Sequence, residues 1–245
     1  RKIVEDVSRK SMRRFFDQWV YRSGHPQLDI EFSLEEEEDS RRIKIKIRQV
    51  HQEDDGSSNT DRDNPDCYNL FEFTLDIRIV FSTADIEINN KLEAIYISQR
   101  ITEHSIDIPK DARIEWISID PQFKILKKVK SIKVVDETKE IQIKDLLKKQ
   151  LHNGKTIIER IEAARLLKNF YSKDIVSDLK EVIIKDNFYG VSIEAANTIG
   201  SFFDKNDFVK SDRAYQILKM FLLDNKLFNK LHSEIKQSVI KNIGK

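Results

Sequence analysis

The sequence predicts a multidomain protein of α and β structure, in which an antiparallel β-sandwich is followed by an α-helical repeat domain. Three observations indicate this fold class. Apolar residues alternate with charged residues between about Leu28 and Val135, the apolar period becomes helical after about Ile141, and short sequence echoes recur within the helical part. A chain of 245 residues is long enough for two domains with buried cores. The predicted segments are an N-terminal helix in residues 1–24, the β-sandwich in 25–140 and the helical domain in 141–245.

The first element is predicted to be an amphipathic helix that runs to about Trp19. Its apolar residues are Ile3, Val7, Phe15, Phe16 and Trp19, and their spacing is compatible with one helix face. This helix has nothing within the segment to bury that face against.

Period-two alternation predicts seven or eight short strands, each with one apolar and one charged face. The predicted strands are residues 28–32, 43–47, 71–79, 86–88, 94–97, 105–108, 113–119 and 132–135. This number is sufficient for an antiparallel sandwich. The acidic run Glu35–Asp39 is predicted to be a hairpin tip, and the return strand is predicted to begin at Ser40. We interpret the alternating charges as solvated faces and find no binding motif among them.

Two charged segments interrupt the alternation. Residues Gln52–Asp66 are rich in acids, Ser and Asn. They have too few apolar side chains for burial to offset the conformational entropy lost on ordering, so we expect this segment to be mobile. Its acids lack the order and the closing Glu of a calcium loop. The basic segment from Lys124 to Lys133 has only Phe123 as a nearby aromatic, which argues against nucleic-acid binding. We predict that it is a strand edge protected by lysines.

Helical periodicity dominates the rest of the chain. Thr156-Ile157-Ile158-Glu159 has the pattern of a capping box. Five apolar stripes follow: 157, 161, 164, 167 and 170; 175, 179 and 182; 193, 196, 199 and 203; 214, 217 and 221; and 228, 231, 235 and 239. Ile161-Glu162-Ala163-Ala164 recurs at 193–196, and Thr198-Ile199-Gly200 is echoed at 242–244. These echoes resemble HEAT-type helical pairs, in which alanines permit close packing and a terminal Gly forms a left-handed cap. The repeats also offer a surface for a protein partner.

Composition argues against several classes of partner. Lys and Arg total 43 and Asp and Glu total 42, so no global field attracts nucleic acid or an anionic membrane. The single Cys67 excludes an internal disulfide and is typical of a reducing compartment. No apolar stretch approaches the roughly 20 residues of a membrane helix. We expect a soluble, cytoplasmic protein.

The run Phe15-Phe16-Asp17-Gln18-Trp19 followed by Gly24-His25-Pro26 and Leu28-Asp29-Ile30-Glu31-Phe32 resembles a junction in zinc aminopeptidases. It is similar to the place where enzymes of the aminopeptidase N family, including the puromycin-sensitive aminopeptidase and leukotriene hydrolase group, leave their catalytic domain. The resemblance implies a C-terminal, non-catalytic portion of such a metallopeptidase. Residues 1–24 would then be the last helix of the catalytic domain. The whole protein would remove N-terminal residues from peptides with one zinc ion, and its helical domain would shape or gate the peptide cleft.

The segment itself is predicted to contain no catalytic, cofactor-binding or metal-binding residue. Peptide hydrolysis by zinc needs two imidazoles and a carboxylate base on one helix face, and no His-Glu-x-x-His occurs in the sequence. The five histidines are isolated: His25, His51, His104, His152 and His232. The zinc ligands are therefore expected upstream of Arg1. Two other functions remain open, a catalytically inactive relative that serves as a scaffold in transcription and a free-standing HEAT-type interaction module.

Overall fold

A computed structural model describes residues 1–36, 40–50, 70–135, 142–203 and 208–244. The chain forms two compact units, each with its own buried apolar side chains. The first unit contains residues 1–77, 92–112 and 123–136, and the second contains 78–91, 113–122 and 137–245. The acidic segment Gln52–Asp66 and Cys67 lie outside the described residues.

The described strands form two sheets, which confirms a mixed α and β architecture. The strands are β1 (Gln27–Glu36), β2 (Ser40–Gln49), β3 (Phe73–Ser82), β4 (Asn89–Ile97), β5 (Ile101–Pro109), β6 (Arg113–Ile119) and β7 (Lys128–Val134). One sheet has the order β5-β2-β1-β7 and the other the order β4-β3-β6. The return strand of the first hairpin begins at Ser40, as predicted. The tip residues 37–39 lie outside the described part of the chain.

The strand predicted at residues 86–88 is wrong. The amide of Thr83 donates to the Ile86 carbonyl at 2.9 Å, and the amide of Ile86 donates to Thr83 Oγ1 at 3.2 Å, so the chain turns here. Ile86 and Ile88 are about half exposed. Three alternating residues form too short a strand to compete with this turn, because the turn already satisfies the same backbone groups through local hydrogen bonds.

The four-stranded sheet is mixed, which corrects the expectation of an antiparallel sheet. β1 pairs antiparallel with β2, and β2 pairs antiparallel with β5, but β1 and β7 run parallel with a bulge at Leu28/Asp29. Period-two alternation reports only which face a residue occupies, so it does not encode the direction of the neighbouring strand. β7 lies at one edge of this sheet and contains three lysines, as the prediction of a lysine-protected edge requires.

Opposite charges face each other across the outer surface of this sheet. The cross-strand pairs are Asp29↔Arg48, Glu31↔Lys46, Glu35↔Arg42, Arg42↔Asp107 and Lys46↔Glu103. We call this set the charge ladder. The alternate residues of β1 and β2, Leu28, Ile30, Phe32, Ile43, Ile45 and Ile47, are buried. A slip of one residue would bury the charges and expose the core, so burial and cross-strand charge fix the same register.

The predicted N-terminal helix is broken, which is a third correction. Helix α1 (Lys2–Ser8) ends at Arg9, whose backbone is left-handed with φ of 54°. Helix α2 (Arg13–Phe16) then leads into a π-helical turn (Asp17–Tyr21). Glu5 Oε1 accepts the Met12 amide at 2.8 Å across the break. This hydrogen bond holds the pKa of Glu5 below its ordinary value. Burial raises that pKa and the charge of Arg1 lowers it, but both effects are smaller.

The second unit contains the C-terminal helices. They are α3 (Ile143–Asn153), α4 (Ile157–Leu166), α5 (Lys173–Lys185), α6 (Tyr189–Gly200), α7 (Phe208–Leu223), α8 (Asn225–Lys230) and α9 (Ser233–Ile243). The predicted capping box begins α4, where Thr156 Oγ1 accepts from the Glu159 amide and Glu159 Oε2 accepts from the Thr156 amide. Most residues of the predicted stripes in α5, α6 and α9 are buried. In α4, Ile157 is exposed. Phe170 and Phe203 lie beyond the ends of α4 and α6, so they are not part of these helices.

The predicted left-handed caps at Gly200 and Gly244 are wrong. Gly200 lies inside α6, followed by a right-handed Ser201, and Gly244 has a φ of −82°. Gly200 instead permits close packing of α6 on α9, because a Cβ at this position would lie 2.5 Å from Cγ of Asn242. Asn242 is fully buried, and its Nδ2 donates to Asn197 Oδ1 at 2.8 Å and to the Ser238 carbonyl at 2.9 Å.

Candidate functional site

The four described histidines lie in different segments of the chain. His25 follows the left-handed Gly24, whose φ is 102°, His104 lies in β5, His152 lies in α3, and His232 precedes α9. His51 is outside the described residues. Within the residues that the structure describes, no group of three or more His, Cys, Asp or Glu side chains can hold a metal ion.

The second unit contains a buried carboxylate, Glu159, which is 1% exposed. Its Oε1 accepts hydrogen bonds from Arg78 Nη1 at 3.0 Å and Ser118 Oγ at 2.7 Å, and its Oε2 accepts from the Thr156 amide at 2.9 Å. All of these donors come from the protein, so both oxygens are engaged in holding α4 to β3 and β6. We therefore interpret Glu159 as a structural residue. The capping-box pattern in the sequence indicated the role of Glu159 at the start of α4. No local sequence pattern indicated its hydrogen bonds with Arg78 and Ser118.

The first unit presents an apolar surface that no described residue covers. We call it the N-terminal face. The exposed side chains of this face are Ile3, Val4, Val7, Phe15, Val20 and Tyr21. Val7 is 82% exposed and Ile3 is 78% exposed, and α1 buries no residue at all. Exposed apolar side chains in such number within 21 residues are typical of a contact surface.

Gln18 anchors the π-helical turn beneath this face. Its Nε2 donates to the Glu72 carbonyl at 2.9 Å, and its Oε1 accepts the Glu72 amide at 2.8 Å. The Glu72 carboxylate forms an ion pair with Arg14 and accepts a hydrogen bond from the Tyr96 hydroxyl at 3.0 Å. That hydrogen bond, followed by burial and the Glu72 charge, raises the pKa of Tyr96. The turn is thus fixed on its inner side, while Val20 and Tyr21 point outward.

The N-terminal face is also basic. Residues 1–22 contain seven Lys and Arg against three Asp and Glu. Arg1 pairs with Glu5, Arg14 with Glu72 and Arg22 with Asp17. The other basic residues of this segment are Lys2, Arg9, Lys10 and Arg13. Charged residues close in sequence to exposed apolar ones are typical of protein–protein contacts.

The sequence matches no family model and no curated protein. The fold is similar to that in the crystal structure of Legionella pneumophila aminopeptidase A in complex with aspartic acid, with a TM-score of 0.53 and 16% sequence identity. The similarity covers 99% of this chain and 29% of that chain. It shows a shared fold with one part of a much longer aminopeptidase.

Among the described residues, no helix is both long enough and apolar enough to cross a membrane.

Proposed function

We propose that this chain is the non-catalytic C-terminal region of a zinc-dependent aminopeptidase that removes N-terminal residues from peptides. The observation that carries the proposal is the fold similarity, which extends over 99% of this chain but only 29% of the aminopeptidase chain. The Phe-Phe-x-x-Trp and Gly-x-Pro motifs support the same assignment. No His-Glu-x-x-His is present, so the zinc ion and its ligands belong to the remainder of the parent protein.

The N-terminal face supplies a physical reason to expect a larger protein. Helix α1 has the composition of a packed helix, yet its apolar side chains are exposed. The catalytic domain of the parent is the proposed cover, and burial of Ile3 and Val7 would contribute about 1.5–3 kcal/mol per side chain. The basic rim of this face would then meet acidic residues of that domain.

The helical domain is proposed to limit access to the peptide cleft. We propose that α3–α9 form a HEAT-like array, since α6 packs against α4, α5, α7 and α9 and the echoed Ile-Glu-Ala-Ala segments lie in α4 and α6. A curved array of this kind would admit short peptides and exclude folded proteins. It would act through access and positioning rather than through the zinc chemistry. Cytoplasmic localisation is a further proposal, based on the single Cys67.

The experiment is a comparison of three proteins on aminoacyl amides and on peptides of increasing length. The full-length protein should hydrolyse these substrates in a zinc-dependent manner. The segment alone should hydrolyse none, and the full-length protein without residues 155–245 should keep its activity on aminoacyl amides but lose its selectivity for short peptides. A degenerate zinc motif upstream of Arg1 would favour the transcriptional scaffold, and a start codon adjacent to Arg1 would favour the free-standing adaptor. Unchanged kinetics across peptide lengths after truncation would refute the gate.

A further inference from the structure

The junction between α3 and α4 contains an asparagine followed directly by a glycine. Asn153 is the last residue of α3 and is exposed, whereas Gly154 is buried. Packing requires glycine here, because a Cβ would lie 2.6 Å from the Gln150 carbonyl oxygen and 3.0 Å from Cβ of Glu159. The same absence of a Cβ leaves the Gly154 nitrogen sterically accessible to the Asn153 side chain whenever the local backbone opens. The close contact therefore retains a dipeptide in which the asparagine amide is chemically labile.

Hydrogen bonds hold this dipeptide in an unreactive arrangement. The Gly154 amide donates to the Gln150 carbonyl at 2.8 Å, and the Gly154 carbonyl accepts from Arg160 Nη1 at 3.0 Å. Nδ2 of Asn153 donates to the Lys149 carbonyl at 3.1 Å. This last hydrogen bond draws the side-chain amide toward the preceding helical turn and away from the Gly154 nitrogen.

The residues that engage Gly154 also fasten α3 to α4. Gln150 is buried, and its Nε2 donates to the Glu159 carbonyl at 2.9 Å. Arg160 is fixed in turn by hydrogen bonds to both carboxylate oxygens of Asp186, at 2.7 and 3.2 Å. The amide and carbonyl of Gly154 are thus freed when the last turn of α3 separates from α4.

We propose that Asn153 is a latent deamidation site, which is closed in the folded chain and reacts when the last turn of α3 opens. In the open state the Gly154 nitrogen attacks Cγ of Asn153. Its proton passes through solvent to the side-chain nitrogen, which leaves as ammonia, and a succinimide ring is formed. One water molecule then hydrolyses the ring. Hydrolysis at the side-chain carbonyl leaves Asp, and hydrolysis at the main-chain carbonyl leaves isoaspartate.

Either product weakens the junction. A carboxylate in the last turn of α3 meets the negative end of the helix dipole, and it has no N–H to donate to the Lys149 carbonyl. Isoaspartate also adds a carbon atom to the main chain, which displaces the hydrogen bonds of Gly154. The reaction is irreversible, so the product accumulates with the time that the junction spends open. This proposal concerns the helical unit alone and does not rest on the aminopeptidase function.

The experiment incubates the intact 245-residue chain in weakly alkaline buffer, folded or unfolded in urea. Mass spectrometry of the digested protein follows Asp and isoaspartate in place of Asn153. We expect this residue to react at least about tenfold faster in the unfolded chain, since local opening limits the reaction in the folded chain. Asn187 is followed by Phe188 and is the internal control. It should react at least about tenfold more slowly than Asn153 in urea, because a side chain at the next residue hinders the attack.

Arg160→Met tests the closed arrangement itself. Loss of the donor to the Gly154 carbonyl should raise the folded-state rate at least about threefold and leave the rate in urea unchanged. Arg165→Met, which removes an ion pair with Glu194 from the same helix, is the matched control and should keep the wild-type rates.

A second measurement applies if Arg160→Met does not fold. Amide hydrogen exchange of Gly154 in the wild-type chain, at rising urea concentrations below the unfolding transition, should increase in parallel with deamidation. Equal rates at Asn153 in the folded and unfolded chains, or a rate in urea no faster than that of Asn187, would overturn the proposal. A wild-type rate in folded Arg160→Met, or exchange and deamidation that do not rise together, would do the same.

Discussion

Gly200→Ala should destabilise the helical unit, although the same change stabilises most solvent-exposed helices. The new Cβ would lie 2.5 Å from Cγ and 2.7 Å from Cβ of Asn242, so this side chain must move. Asn242 is fully buried and donates to Asn197 Oδ1 and to the Ser238 carbonyl. Overpacking costs about 1–3 kcal/mol and disturbed buried hydrogen bonds cost about 1–3 kcal/mol, while the helix propensity of alanine recovers about 1 kcal/mol. We expect a net loss of about 2–4 kcal/mol in the free energy of unfolding.

The assay is urea denaturation followed by circular dichroism at 222 nm. Gly244→Ala is the matched control, because its Cβ would meet the nearest atom, the Ile240 carbonyl oxygen, at 3.7 Å, an ordinary contact. We expect less than about 0.5 kcal/mol of change for the control. In an Asn242→Ala background the cost of Gly200→Ala should fall by at least about 1 kcal/mol, since the obstructing side chain is gone. A Gly200→Ala protein as stable as wild type, or more stable, would refute close packing of α6 on α9.

Three further predictions concern charged groups. Glu159→Gln should lower the free energy of unfolding by about 2–4 kcal/mol, measured by urea denaturation, because it leaves the Arg78 charge with a neutral partner in a buried setting. Lys46→Glu should cost about 0.5–1 kcal/mol by placing like charges opposite each other in the charge ladder, and adding Glu31→Lys should recover part of the loss; equal stability of the single and double variants would contradict the ladder. Hydrogen bonds from Lys148 and Ser172 lower the pKa of Asp174. Burial lowers the pKa of Lys148, but its hydrogen bonds to Asp174 and Asp178 together outweigh burial, so the pKa of Lys148 is raised. The stability difference between wild type and Lys148→Met should therefore be constant near neutral pH and narrow below about pH 4 and above about pH 10.5; a difference that does not change with pH would exclude the ion pair.

Much of the fold could be predicted because several patterns are local. Strand β6 occupies the predicted residues 113–119, and the capping box at Thr156 begins a helix. The errors arise where a local signal was too short or where distant residues decide the outcome. The break at Arg9 is fixed by a hydrogen bond from Met12 to Glu5, and the role of Gly200 depends on Asn242, which lies in another helix.

The candidate contact surface was foreseen only in part. The sequence indicated that the N-terminal apolar side chains had no partner of their own. It did not reveal that Gln18 holds the turn through the backbone amide and carbonyl of Glu72. The two residues are 54 positions apart, and no sequence motif links a glutamine to a distant backbone group.

The parallel pairing of β1 with β7 also affects the order in which the first unit folds. Leu28 pairs with Val129, so this contact closes a chain segment of about 100 residues, and closure entropy of this size opposes it by about 4 kcal/mol. The β1–β2 hairpin closes a far shorter segment and can form while a ribosome is still making the rest of the chain. β7 must join last, after its own synthesis, and until then one backbone edge of β1 remains open. Substitutions in β7 should accordingly accelerate unfolding and leave the folding rate nearly unchanged.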